Sequence, residues 1–467
     1  MPQQEPAKTI SAILGEQVNR KLTVVIIGGG LSGLSAAWSL TGEDCSIILL
    51  EKEANLGGQA AEVNSPGDYP LVITPHLVSL NDVRLLHLLK QIFPDFKPQP
   101  LKTPFSLVMP GSPSQPLSFS SYLPPPWHLW SALRSVHSLS ASDRKLLAKT
   151  FLRRAFLSRQ TLLSLQDITL RDWRRQAGIS DDGERRFLYP LSILLWQTPP
   201  EELSAYIFFS RMRDWGRTKK ALCLAPFPHP RQESFFEPFR KDLAARGVCV
   251  RLSSPVRHLI GDLYKVRQVE LEGGETVAGD VFISALEPHQ LLAILPQAIA
   301  ENDYFSSIAQ LEPTSALTVQ WWYEGRVELP PGIMLCGGEY LTICTDLTSF
   351  YPESFGAKGT VLWGLCPLAQ SLVTLSDEDI LTLVEDNLVQ FFPQLAKIKP
   401  VHRQIRRSPL LGYAARPGAD AHRAQAVTPI PNLLLAGAWT ATGMEPSLES
   451  AVASGERAAS ELTVLGL

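Results

Sequence analysis

The chain has 467 residues, 45% of them hydrophobic, with a mean hydropathy of +0.02 and a formal net charge of −3. That length supports a large core and about two domains, and the near-neutral charge excludes a general nucleic-acid-binding role. Charge is uneven, however: Arg134 to Lys220 carries 17 Lys plus Arg against 9 Asp plus Glu.

Residues 1–20 lack the basic start and apolar run of a signal peptide and read as a loose lead-in. Leu22 to Thr41 then runs twenty residues without a charge, about the length of a membrane span. Its β-branched start and central glycines instead predict a buried strand, a turn and a helix. The strand covers Thr23 to Ile27. Gly28, Gly30 and Gly33 form G-x-G-x-x-G, and a small-residue helix runs from Leu31 to Leu40, with Leu31 and Ser32 at its start. A second apolar strand ends at Glu51, 18 residues after Gly33, with Lys52 beside it. In this pattern the first glycine permits a tight turn, the second admits a pyrophosphate and the third lets helix and strand touch. Glu51 is placed to accept hydrogen bonds from an adenosine ribose. A second glycine pair, Gly57-Gly58, follows, with Gln59 after it.

From about 85 to 225 the pattern predicts helices interleaved with prolines and aromatics. Lys145, Lys149 and Arg153 lie four apart on one helical stripe, and Leu147, Phe151 and Ala155 on another. "PPPWHLW" puts Trp127 and Trp130 beside a rigid proline run. Aromatics next to a basic face suit docking on an anionic membrane through residues 122–159. A solvated face over ordinary core aromatics is the alternative.

A helix over Phe235 to Ala245 precedes short alternating strands around a Gly273-Gly274 turn, ending in "VFISAL". Near the end, Leu433 to Leu435 reads as a buried strand broken by Gly437, with Pro446 just inside a closing helix. The bare N-terminus of that helix gives a polar pocket a positive end.

Other chemistries lack their spacing. Nine histidines offer no H-x-H or H-E-x-x-H, so no metal site is expected. No G-x-S-x-G or Walker A occurs, and Ser142 to Lys145 fits S-x-x-K without companion motifs. Six cysteines without a C-x-x-C pair read as reduced thiols of a cytoplasmic protein, docked peripherally if the basic layer meets lipid.

The glycine fingerprint, "ANLGGQAAEV" and "NLLLAGAWTATGMEPSLESAVASGERAA" together resemble flavoproteins of the amine oxidase and phytoene desaturase superfamily. "LPPPWHLWSALRSVHSLSASDR" and "LYPLSILLWQTPPEELSA" resemble the hydroxysqualene dehydroxylases within it, with Gln197 replacing the usual asparagine. The resemblance implies an α/β fold: a discontinuous Rossmann-type FAD-binding domain (21–84, 230–295, 425–467) and a mixed α+β substrate domain. The latter has a helical layer (85–229) and a sheet (296–424). It also implies FAD contacts from Gly57, Gly58, Gln59, Val256, Gly437, Ala438, Met444 and Leu448. Two departures stand out: Gln59 replaces the family's arginine, and Ala438 its acid.

The implied reaction is loss of water from hydroxysqualene with hydride delivered from reduced FAD, in an apolar tunnel that excludes water. His76, in "VITPHLVSL", matches a family histidine near the flavin. It is the candidate proton donor, with a ring buried for structural reasons as the alternative. Two other readings stay open on the same fold. One is a carotenoid (phytoene-type) desaturase or isomerase. The other is a lipid- or partner-binding relative that has lost tight FAD binding, motivated by Gln59 and Ala438.

Overall fold

A computed structural model describes residues 21–63, 69–356, 359–367, 372 and 374–464. The lead-in 1–20 lies outside the described residues. Five parallel strands form the first sheet, in the order Leu433–Leu435, Val281–Ser284, Leu22–Ile27, Cys45–Leu50 and Cys249–Arg251. The inner strands are β-branched or leucine runs, because a parallel sheet covered on both faces buries its centre, whereas the edge strand Cys249–Arg251 stays partly exposed. Val24, Val25 and Ile26 are fully buried, as are Leu433 to Leu435. The Leu31–Ser39 and Leu448–Val464 helices cover one face, and Gly455 permits their contact: a Cβ there would overlap Ser32 O.

The second sheet has seven strands, in the order His402–Leu411, Thr314–Tyr323, Thr360–Pro367, Ile343–Asp346, Ile333–Leu335, Phe105–Leu107 and Gln115–Pro116. Two of these correct the sequence reading, which assigned residues 85 to 225 to helices. Phe105–Leu107 is a strand because Ile333–Leu335, more than two hundred residues away, pairs with it in parallel. A three-residue apolar run carries no period from which that pairing could be read.

Helices Trp127–Arg134, Ala141–Ala155, Tyr189–Trp196 and Ala205–Arg217 form the helical layer. Within it, Leu147, Phe151 and Ala155 are buried, while Lys145, Lys149 and Arg153 face solvent. Phe208 and Phe209 pack edge-to-face with each other, and Phe209 likewise with Trp173, at the centre of this layer.

Candidate functional site: a dinucleotide cradle beside an apolar cavity

The first strand ends in a turn that only glycine can make. Gly28 has φ +106°, donates its N–H to Leu50 O at 2.8 Å, and leaves 3.0 Å between an added Cβ and Ala285 O. At Gly33 a Cβ would overlap Gly28 O, so the helix rests directly on the turn. Gly30 stands at the helix N-cap without a side-chain cap, and the first turn holds no acid. The N–H groups at Leu31 and Ser32 therefore open a positive helix end onto the crevice.

The acidic strand end closes the same crevice. Glu51 is buried, accepting from Gly29 N at 2.6 Å and Glu53 N at 2.9 Å. Lys52 is instead exposed, 3.6 Å from Glu53. The second glycine pair folds back onto the first: Gly57 N donates to Gly29 O at 2.9 Å, and Gly58 faces Gly30. Gln59 is exposed, its carbonyl 3.4 Å from His76 Nε2. Val256 is half-buried at the start of a strand, and Ser254 N donates to Glu51 O at 2.8 Å nearby.

From the C-terminal side, Gly437 N donates to Ser454 Oγ at 2.9 Å, and Ser454 lies 3.3 Å from Ser32 Oγ. Ala438 O accepts from Ser450 Oγ at 3.1 Å. Leu448 opens the closing helix. Pro446 lies two residues ahead of it, not inside it, because Ser447 takes the capping place and accepts from Ser450 N at 3.1 Å.

Sequence reasoning missed Arg423. Its side chain is buried, and it donates to Trp439 O at 3.1 Å, Ala438 O at 3.3 Å, Thr440 O at 2.6 Å and Met444 O at 2.8 Å. One planar fork thus pins the turn that carries Ala438 and Met444, so the missing acid does not leave it unsupported. Its pair with Asp420 at 3.1 Å has an ordinary i,i+3 spacing, but no spacing rule finds the four carbonyls it pins. Glu445, next along, lies 3.4 Å from Trp196 Nε1, and burial raises its carboxyl above the usual range against the pull of Arg211 and Arg423.

Beside the cradle lies a cavity of about 50 Å³. Ile73, Leu194, Ile333, Trp363 and Leu365 supply apolar wall, and Gln197, Thr318 and Thr345 line it as well. Thr74 and Pro75 also line it, which puts His76 next to the cavity wall. Burial and the charge of Arg231 push the His76 imidazole down to about 3, so at neutral pH it is uncharged. An uncharged ring suits holding a loop better than delivering a proton. No group of His, Cys, Asp or Glu able to hold a metal occurs among the described residues.

These observations fit a bound dinucleotide: glycines leave room where a side chain would collide, a free helix end faces the crevice, and one buried carboxylate stands at the ribose position.

The comparisons agree with that geometry. The 15-cis-phytoene desaturase of Synechococcus elongatus is 23% identical over 451 residues, covering 93% of this chain and 94% of its own. A probable zeta-carotene desaturase of the same organism is also 23% identical, covering 94% of this chain and 98% of its own. Among solved structures, an oxidoreductase from Methanosarcina mazei superposes with a TM-score of 0.72 at 16% identity, over 94% of this chain and all of that one. A putative protoporphyrinogen oxidase from Exiguobacterium sp. 255-15 gives 0.70 at 19% identity, over 95% and 99%. The family model for flavin-containing amine oxidoreductases matches residues 31–463, and the chain belongs to that family.

Proposed function

We propose that the protein is an FAD-dependent oxidoreductase that removes the hydroxyl of hydroxysqualene to give squalene. The observation that carries this reading is the cavity, walled mainly by apolar side chains with Gln197, Thr318 and Thr345 among its lining residues. Gly28, Gly30, Gly33, Glu51, Gly57, Gly58, Gly437, Met444 and Leu448 would hold FAD, which when reduced supplies the hydride. The chain's own tasks are to orient the allylic carbon, exclude water and protonate the departing oxygen. His76 is the candidate named by its position.

A second reading, desaturation of a carotenoid precursor, is favoured by the names of the relatives. It takes hydride from the substrate instead of giving it. Product analysis separates the two. Squalene formed from hydroxysqualene under anaerobic reduction supports the first. Bleaching of the oxidised flavin by phytoene, with no squalene formed, overturns it.

The same reading places the helical layer against an anionic membrane. Tyr122 is 95% exposed and Phe156 72%, with Trp127 between them in sequence, on the layer that carries the Lys145–Lys149–Arg153 stripe. A second cavity of about 40 Å³ lies between Leu129, Leu133, Phe151 and Met212. It shares the Tyr189–Trp196 helix with the first cavity, through Leu191 and Leu194 respectively. That helix would guide an apolar chain from the lipid side toward the flavin. Among the described residues no helix is long and apolar enough to cross a membrane.

A further inference from the structure

The arginine that the family carries next to its second glycine pair is Gln59 in this chain, yet the turn is not without a cation. Arg231 is 0% exposed. Its Nη1 donates to Ala60 O at 3.1 Å, one residue beyond Gln59, and its Nη2 donates to Thr74 O in the segment that lines the cavity. Its Nε is buried with no hydrogen-bond partner, and among the described residues its guanidinium forms no ion pair. Glu62 is turned to the Arg231 backbone N–H at 2.8 Å and to His229 Nε2 at 3.1 Å. The same short helical segment grips the turn a second time. Phe236, five residues on, packs so closely that a Cβ on Gly57 would lie 2.6 Å from its ring.

A buried guanidinium is costly unless an anion shares its surroundings, and the Glu62 carboxyl, which burial raises against the pull of the Arg231 charge, is one such group. The turn it holds is the one that meets the Gly28–Gly33 loop, where the proposed cofactor's pyrophosphate would lie.

We infer that Arg231 replaces the missing arginine at position 59: it ties the 57–60 turn to the 73–76 segment and supplies the buried positive charge that favours the anionic cofactor. It acts through these two segments and is a positioning residue. The charge also reaches His76, where it helps to keep the imidazole neutral.

The inference rests on the proposal that the cradle binds FAD, and the test keeps the two apart. Apoprotein is titrated with FAD and the midpoint potential of the bound flavin is measured, with urea midpoints as a check on folding. Wild-type protein that takes up no FAD overturns the functional proposal itself. If wild type binds, Arg231→Met is expected to bind FAD about 30-fold more weakly, with the flavin potential shifted negative. Gln59→Arg in that background is expected to restore affinity to within about 3-fold. Arg231→Lys, which keeps the charge but not the fork, is expected to keep the wild-type potential while losing part of the affinity. It serves as the test if the methionine variant fails to fold. Unchanged affinity in Arg231→Met, no rescue by Gln59→Arg, or an Arg231→Lys potential as negative as that of the methionine variant each overturns the inference.

Discussion

The two halves of the molecule hold their sites by different means. In the dinucleotide half the glycine turn itself is set within one short stretch: Gly28, Gly33 and Glu51 meet through one strand–turn–helix–strand unit. In the substrate half almost every decisive contact is long-range. Phe105–Leu107 pairs with Ile333–Leu335, Ser106 Oγ donates to Pro331 O at 2.7 Å, and Ser204 N donates to Ala415 O at 2.8 Å. Local sites break by a single added atom. Distributed sites break by a change of shape, and each kind of damage should leave the other half working.

The largest effect is expected at Gly33→Ala. The added methyl overlaps Gly28 O, forcing helix from turn at a cost of about 3 kcal/mol, and the purified protein should be colourless. A urea midpoint and flavin stoichiometry both equal to wild type would break the claim that this contact is tight. Leu194→Trp makes the converse change. It should fill the cavity and lower kcat/KM for the isoprenoid about 100-fold, with flavin stoichiometry and potential unaltered. Flavin loss in that variant would show that the two halves are not separable.

A pH series sharpens the comparison at the seam between the halves. His229 is buried between Glu62 and Tyr351, and burial with the Arg231 charge lowers its ring to about 3. A pKa below the unfolded value means that the unfolded state binds the proton first as pH falls. Stability from this group is full above about 6.5 and is lost as pH drops toward 3, at most about 3 kcal/mol by pH 4. His229→Gln should flatten that acid limb in urea titrations. Glu287 has the opposite sign: burial raises it to about 7, so its stabilising protonated form is lost as pH rises from about 4.5 to 7. The smallest effect on the fold is expected from Trp127→Ser with Phe156→Ser. Stability should change by about 0.5 kcal/mol or less per site, with flavin unaltered and binding to anionic vesicles reduced. Undiminished sedimentation with such vesicles would remove the membrane role.

The same contrast explains what could be read from sequence. The glycine fingerprint, the acidic strand end and the Leu433–Leu435 strand carry their geometry in spacing, so the parallel sheet was legible. The two-faced Ala141–Ala155 helix was legible too, because its apolar stripe repeats every four residues. Phe105–Leu107 was not, since its partner lies in a distant segment. The buried arginines were missed for a related reason. Arg231 and Arg423 donate to backbone carbonyls, which every residue has, so no residue pattern marks the acceptors. Their effect was nonetheless foreshadowed by Gln59 and Ala438, two places where a charge should have been and was not.

The most direct test of the central claim is an anaerobic single turnover. Holoprotein with its flavin reduced is mixed with hydroxysqualene while the flavin absorbance and the products are followed together. The oxidised flavin spectrum is expected to return as one squalene forms per flavin. A flavin that stays reduced with no squalene formed, in protein shown to carry FAD, would contradict it.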